Sequence, residues 1–202
     1  MNDKLKIIGL GGTNGAGKDS VGALLADRYG YYFYSLTELF REECRRRGIE
    51  PVRENLRMIS AQWRHESGLA TLIDRSMTVF EQVGGFANYK GFVMSSLRNP
   101  AEPDRIHELG GSVVWIDADP RLRYDRIQKN AAARNRAAED NKTFEQFLQE
   151  EHDEMHPPAG ADAATLNTAA VKNRADIFVQ NNGDTLESLD AEIVQKIDLQ
   201  KQ

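Results

Sequence analysis

Cysteine is nearly absent: Cys44 is the only one in 202 residues. An internal disulfide is therefore excluded, and a reducing compartment, with the cytoplasm as the simplest case, is the expectation. Long apolar runs are missing as well. None approaches the ~18 residues of a membrane-spanning helix, so no membrane partner is expected. The first residues pass straight into a strand-like run, KLKIIGL (4–10), which is not the pattern of a signal peptide. Basic charge is not in excess. Lys and Arg total 26 against 31 Asp and Glu, a formal net charge of −5. A general nucleic-acid binder is usually basic, so nucleic acid is not the expected partner, although a local basic pocket is compatible with this balance. The remaining composition, 40% hydrophobic and 28% charged, is ordinary for a globular chain. The length suits one domain over 1–202 with a normal core. There is no internal repeat, and no feature of the sequence indicates an oligomeric state.

Five short β-rich apolar runs read as strands: KLKIIGL (4–10), YYFYS (31–35), GFVMSS (91–96), SVVWID (112–117) and ADIFVQN (175–181). Helical patterns lie between them. Residues 18–28 carry Val21, Leu24 and Leu25 at helical spacing, with Gly30 as a stop. Thr37 is placed to cap the next helix, which ends at Gly48. Two helices follow at 53–66 and 69–83. Asn99-Pro100 opens another, Asp119-Pro120 a long one, and 185–198 the last. Strand and helix in alternation imply a parallel sheet with helices on both faces, a three-layer α/β/α fold. Two segments differ. Residues 129–143 are polar and alanine-rich, and 155–170 are small, loop-like and expected to be mobile.

The first strand runs into GLGGTNGAGKDS (9–20). From Gly12 this is the phosphate-binding P-loop pattern G-x-x-x-x-G-K-[ST] with one misfit, Asp19 where a hydroxyl is usual. A polyphosphate must be held close to the backbone. Glycines let backbone N–H groups converge, and the following helix adds the positive end of its dipole. Gly12, Asn14, Gly15, Ala16, Gly17, Lys18, Asp19 and Ser20 form this expected nucleotide site, with Lys18 reaching the outer phosphates. Its expected ligands are ATP and Mg²⁺. Asp19 has two readings: a hard oxygen ligand for Mg²⁺, with Ser20 beside it, or a cap on the helix N-terminus.

Beyond the P-loop the chain resembles the nucleoside monophosphate kinase branch of P-loop proteins. That branch includes adenylate kinases, dephospho-CoA kinases and phage deoxynucleoside monophosphate kinases, and the likeness extends to an archaeal dephospho-CoA-kinase-like group. It covers residues 4 to about 189. SLTELFREE (35–43) resembles S-T-G-D-x-L-R, which implies Thr37 and Arg41 at the acceptor phosphate. FVMSSLRNPAE (92–102) resembles the segment ending in D-G-F-P-R and the V-R-x-x-x-E form, which implies Arg98 as a second clamp. DADPRLRYDRI (117–127) places Arg126 near the nucleotide, and ADIFVQNNG (175–183) resembles A-D-x-x-I-x-N-x-G, placing Asn182 and Gly183 beside the base. RNR (134–136) resembles the lid arginines, with Arg134 or Arg136 closing on the transferring phosphoryl group and Asp140 placing one of them. The resemblance thus implies a P-loop kinase domain with its acceptor-binding helices at about 37–90 and a short lid at about 129–143. Its function would be ATP-dependent phosphoryl transfer to a small phosphate-bearing acceptor, first of all a (deoxy)nucleoside monophosphate.

The sequence departs from that pattern in two places. The strand-end aspartate of adenylate kinases falls at Met94, and Asp19 is a candidate to replace it. The D-A-D signature of dephospho-CoA kinases is absent, because those positions read Tyr34-Ser35-Leu36. That absence weighs against dephospho-CoA as the acceptor, which is kept as an alternative, as is a nucleotide-binding switch or NTPase serving a macromolecular partner. Other residues read as structural. HDEMH (152–156) has two histidines at i, i+4 but not the order of a zinc helix. Trp63, Trp115, Phe33 and Phe40 are expected in the core, with one of them available to wall the acceptor pocket. His65 and His107 are expected at the surface, and Cys44 is expected to be buried and unreactive.

Overall fold

A computed structural model describes residues 6–129, 142–183 and 185–197. Five strands form one sheet: β1 (Ile7–Gly12), β2 (Tyr31–Ser35), β3 (Gly91–Ser95), β4 (Ser112–Asp117) and β5 (Ile177–Gln180). Their order is β2-β3-β1-β4-β5 and every pairing is parallel. The central strands are apolar on consecutive residues because both faces are covered. The pleat then sends neighbours to opposite sides. Ile7, Phe92, Met94, Val113 and Trp115 enter one core, while Ile8, Leu10, Val93, Val114 and Ile116 enter the other. Three layers result, as the alternation of strand and helix implies.

The second core is closed by α1 (Lys18–Tyr29) and by a C-terminal helix, Leu186–Lys196. The first core is closed by the helices between β2 and β3. These are α2 (Leu36–Arg47), α3 (Arg53–Ser67), α4 (Thr71–Gln82) and the short α5 (Gly85–Asn88). Helix α6 (Ala101–Glu108) joins β3 to β4 on the same side. Helix α7 (Pro120–Lys129) follows β4, with the Asp119 carboxylate accepting from the Arg121 and Leu122 N–H groups at its start. Further along the chain come α8 (Phe144–Met155) and α9 (Thr168–Lys172); the C-terminal helix is α10.

Several boundaries differ from the sequence reading. Thr37 is not a cap: it lies inside the first turn of α2, whose N-cap is Ser35. Asp19 lies inside α1, and the N-cap there is Gly17, in the left-handed region at φ 94°. The 155–170 segment is not structureless throughout. Asn167 caps α9 by accepting from Ala170 N, and Thr168 Oγ1 donates to the Glu154 carbonyl. Helix α8 itself, with a Thr143–Gln146 capping box, was not foreseen as an element. Arg134, Arg136 and Asp140 fall outside the described residues.

Candidate phosphate-binding cleft

β1 sends its chain toward the β2 edge and β4 sends its chain toward the β5 edge. Such a reversal opens a crevice at the carboxyl ends of the strands. The P-loop fills the mouth of that crevice. Its glycines are required by close approaches: a Cβ on Gly12 (φ +146°) would lie 2.1 Å from Ile116 O, and one on Gly17 would lie 2.6 Å from Asn181 Nδ2. Lys18 Nζ donates to Gly12 O at 2.9 Å and to Thr13 O at 2.7 Å. The lysine is thus folded over the loop whose centre a phosphate would take. Burial, then the neighbouring Arg98 and Arg123 guanidiniums, pull its ammonium down to about 8, against the opposite pull of Asp19 and Glu154. Thr13 Oγ1 donates to Asp117 Oδ1 at the end of β4.

A cleft of about 870 Å³ runs over this loop. Asn14, Gly15, Gly17, Lys18, Asp19 and Ser20 form its floor. On the β2 and β3 side it is walled by Phe33, Tyr34, Ser35, Thr37, Glu38, Arg41, Ser96 and Arg98. On the β5 side it is walled by Arg126, Ile127, Asn181, Gly183, Thr185, Leu186 and Leu189. Most of the nucleotide residues inferred from sequence, and the acceptor residues Thr37, Arg41 and Arg98, therefore meet in one cavity, although Thr37 and Arg126 stand 89 positions apart in the chain. Of the four aromatics expected in the core, Phe33 walls it, beside Tyr34. Trp63 and Trp115 are buried in the core and Phe40 packs against it.

Three sequence-assigned nucleotide residues are not on this wall. Gly12 lines a smaller adjoining pocket. Ala16 is buried, and its carbonyl accepts from Asn181 Nδ2 at 2.9 Å. Asn182 points elsewhere, accepting from Asp119 N at 2.8 Å. The asparagine that touches the P-loop is thus Asn181, one place before Asn182 and the residue that falls on the N of A-D-x-x-I-x-N-x-G. Arg126 donates to Asn181 O at 2.8 Å and Gly183 O at 2.6 Å, which ties the β5 exit to α7.

The acceptor side is built differently. Arg41 pairs with Glu38 on its own helix at 2.5 Å. Arg98 Nη1 donates to Glu154 Oε2 at 2.6 Å, and Glu154 also accepts from Arg53 and Arg57 of α3. Burial raises the Glu154 carboxyl, the guanidiniums of Arg98, Arg53 and Arg57 lower it, and the net direction is down. Helix α8 presents two further carboxylates. Glu150 pairs with Arg53 and Lys142, and Glu151 with the buried Arg123. Arg53, Arg98, Lys18 and the Glu150, Glu151 and Glu154 carboxylates of α8 line the adjoining pocket. Arg53, Arg123 and Glu154 were not singled out from sequence; nothing local distinguishes a basic residue at the start of α3 or the acidic residues of α8 from solvated charge.

The Arg98 main chain is clamped from below. Glu102, fully buried, accepts from Arg98 N at 2.7 Å, Asn99 N at 3.0 Å and Arg64 Nη2 at 2.6 Å. This gives the glutamate of the V-R-x-x-x-E form a physical role. Met94 is buried in the core, where its sulfur accepts from Ser76 Oγ. The β3-end residue that faces the P-loop is Ser95, whose hydroxyl donates to Asp19 Oδ1 at 2.7 Å. The HDEMH histidines stack with ring centroids 4.6 Å apart, and no group of three or more His, Cys, Asp or Glu forms a metal cluster among the described residues. Cys44 is buried, and burial pushes its thiol up. Among the described residues no helix is long and apolar enough to cross a membrane.

Comparison with known proteins fits this geometry. The family described as "AAA domain" matches residues 8–152. A UPF0200 protein of Hyperthermus butylicus is 32% identical over 150 residues, 74% of this chain and 75% of that one. One of Pyrobaculum aerophilum is 27% identical over 191 residues, 94% and 95% of the two chains. Among solved structures, a gluconokinase from Sinorhizobium meliloti superposes with a TM-score of 0.52 at 17% identity, covering 95% of this chain and 91% of that one. At that identity the likeness shows the fold alone, which is the P-loop kinase fold.

Proposed function

We propose, from the premise that this chain belongs to the AAA domain and UPF0200 families, that it is an ATP-dependent phosphotransferase. Its acceptor is a small phosphate-bearing molecule, first of all a (deoxy)nucleoside monophosphate. The observation that carries this reading is the continuity of one cleft from the P-loop to Arg41 and Arg98. A switch or simple NTPase has no use for an arginine-walled acceptor compartment beside the phosphates.

The chemistry asks for positioning and positive charge rather than covalent catalysis. An acceptor oxygen attacks the γ-phosphorus; the bond from phosphorus to the β–γ bridging oxygen breaks, and ADP leaves with the electron pair. Lys18 exchanges its two carbonyl partners for β- and γ-phosphate oxygens. Asn181 and Arg126 hold the loop and the base-side wall in place. Arg98 and Arg41 exchange carboxylates for the acceptor's phosphate, which a guanidinium fork suits. Arg134 or Arg136 would complete the charge around the phosphoryl group from the lid. Asp19 and Ser20 would hold Mg²⁺, which supplies charge neutralisation at the phosphates.

The test is ADP release with Mg-ATP against AMP, CMP, UMP, GMP, their deoxy forms and dephospho-CoA, with Arg98→Ala beside the wild type. Turnover on one acceptor, lost in Arg98→Ala, is the expected result. Turnover on dephospho-CoA alone would move the acceptor to that class. ATP binding with no acceptor raising ADP release would replace the kinase reading with a nucleotide-dependent switch.

A further inference from the structure

In P-loop NTPases the metal is held by a Ser or Thr hydroxyl beside the P-loop lysine and by an aspartate from a second motif. Here the two chemistries stand in each other's places. The residue after Lys18 is Asp19, and the hydroxyl belongs to Ser95 at the end of β3. Ser95 pairs in register with Leu10 of β1 and Ser35 of β2, so it stands at the carboxyl edge beside the P-loop. Its Oγ donates to Asp19 Oδ1 at 2.7 Å. The next residue, Ser96, turns the chain away at φ 77° and lines the cleft.

We infer that Asp19 and Ser95 are a reciprocal replacement of the usual metal pair. Asp19 is the anionic oxygen ligand for the nucleotide-bound cation, and Ser95 is the positioning residue that sets its rotamer. The exchange has a physical logic. Ser95 is fully buried while Asp19 is exposed to the cleft. A neutral hydroxyl is far cheaper to bury than a carboxylate, and a carboxylate in the first turn of a helix is favoured by the dipole. The donors fit magnesium. All are hard oxygens, and with no cluster of three or more His, Cys, Asp or Glu among the described residues the cation would complete its shell from phosphate and water, as Mg²⁺ does. The inference rests on the nucleotide-binding part of the function proposed above.

The experiment is calorimetric titration of the full chain with ADP, in Mg²⁺ and in chelator, supported by thermal melts of each variant. Asp19→Asn keeps the shape and an acceptor for the Ser95 hydroxyl but loses the charge. It is expected to lose the Mg²⁺-dependent gain in ADP affinity by about 10- to 100-fold, with metal-free affinity unchanged or higher. Ser95→Ala is expected to lose less of that gain. Asp19→Ser combined with Ser95→Asp is expected to regain most of what Asp19→Ser alone loses. Full metal dependence in Asp19→Asn overturns the inference. So does a double variant that melts like the wild type yet binds metal-nucleotide no better than Asp19→Ser. If the double variant does not fold, Asp19→Asn decides. Metal-dependent ADP binding through Asp19 without phosphoryl transfer would remove the kinase reading and leave the pair standing. Unchanged turnover and metal dependence in Asp19→Asn would do the reverse, and no nucleotide binding in either condition would remove both.

Discussion

The two halves of the cleft hold their charged side chains in different ways. On the nucleotide side Arg126 is bonded to the carbonyls of Asn181 and Gly183, and Asn181 to that of Ala16. Those partners are backbone, and a ligand cannot displace them without unravelling the β5 exit. On the acceptor side Arg41 and Arg98 are bonded to the carboxylates of Glu38 and Glu154. A carboxylate is the same kind of partner as a phosphate oxygen, so these arginines can trade one anion for another at little cost in desolvation. The difference separates a wall that is built from a wall that is poised.

The largest effect should come from breaking the acceptor side beneath its working surface. Glu102→Ala leaves Arg64 buried without its charge partner and frees the Arg98 main chain. We expect a loss of about 3–5 kcal/mol in unfolding free energy, read by denaturant melts. A loss under ~1 kcal/mol would mean that the Arg98 segment is held by other contacts. Next in size is Arg98→Lys, which keeps the charge and loses the fork. A drop in kcat/KM for the acceptor worth about 1.5–3 kcal/mol is expected, with KM for ATP little changed. An equal rise in both KM values would place Arg98 in the built wall instead. On the nucleotide side, Asn181→Ala should weaken ATP binding through the loosened P-loop by about 1–3 kcal/mol, because Ala16 O is left buried and unpaired. Acceptor KM should not move.

Two smaller effects sharpen the contrast. Glu154→Gln removes the anion that competes for Arg98, Arg53 and Arg57, so acceptor KM should fall several-fold at nearly constant kcat. If α8 is merely docked by these pairs, KM stays or rises while the melting temperature drops. Lys18 supplies the last. Its ammonium, near 8 in the free protein instead of 10.5, is favoured again by bound phosphates. ATP binding at pH 8 to 9 should therefore take up a proton, and binding below pH 7 should not. Affinity should decline as pH rises above 8, by at most about tenfold per unit. Calorimetry in two buffers of different ionisation enthalpy reads this directly, and no proton uptake at pH 8.5 would show that Lys18 titrates at its ordinary position.

Features carried by contiguous residues were legible before the fold was known. The five strands, the glycine turn and Lys18 depend on local pattern and on backbone geometry that only glycine permits at Gly12 and Gly17. The element boundaries moved by a few residues, as at β1 and β5, although Lys6, Asp176 and Asn181 each still make a backbone hydrogen bond to a neighbouring strand. Less was legible where a role depends on partners far along the chain. Asn181 and Asn182 are chemically the same, and the physical reason that Asn181 serves the P-loop is the position of Ala16, 165 residues away. The acidic residues of α8 look like any solvated helix face until α3 and the β3 exit bring three arginines to Glu154.

By itself, then, the sequence determined the doubly covered parallel sheet and the phosphate cradle, because hydrophobic period and glycine torsions act within a few residues. Only the tertiary structure decided which side chains face that cradle. Whether Met94 or Ser95 meets Asp19 is a matter of strand pleat and register across 76 residues of chain. Whether an arginine is locked by carbonyls or poised on a carboxylate depends on which element packs above it. Those outcomes follow from long-range packing, and no local pattern encodes them.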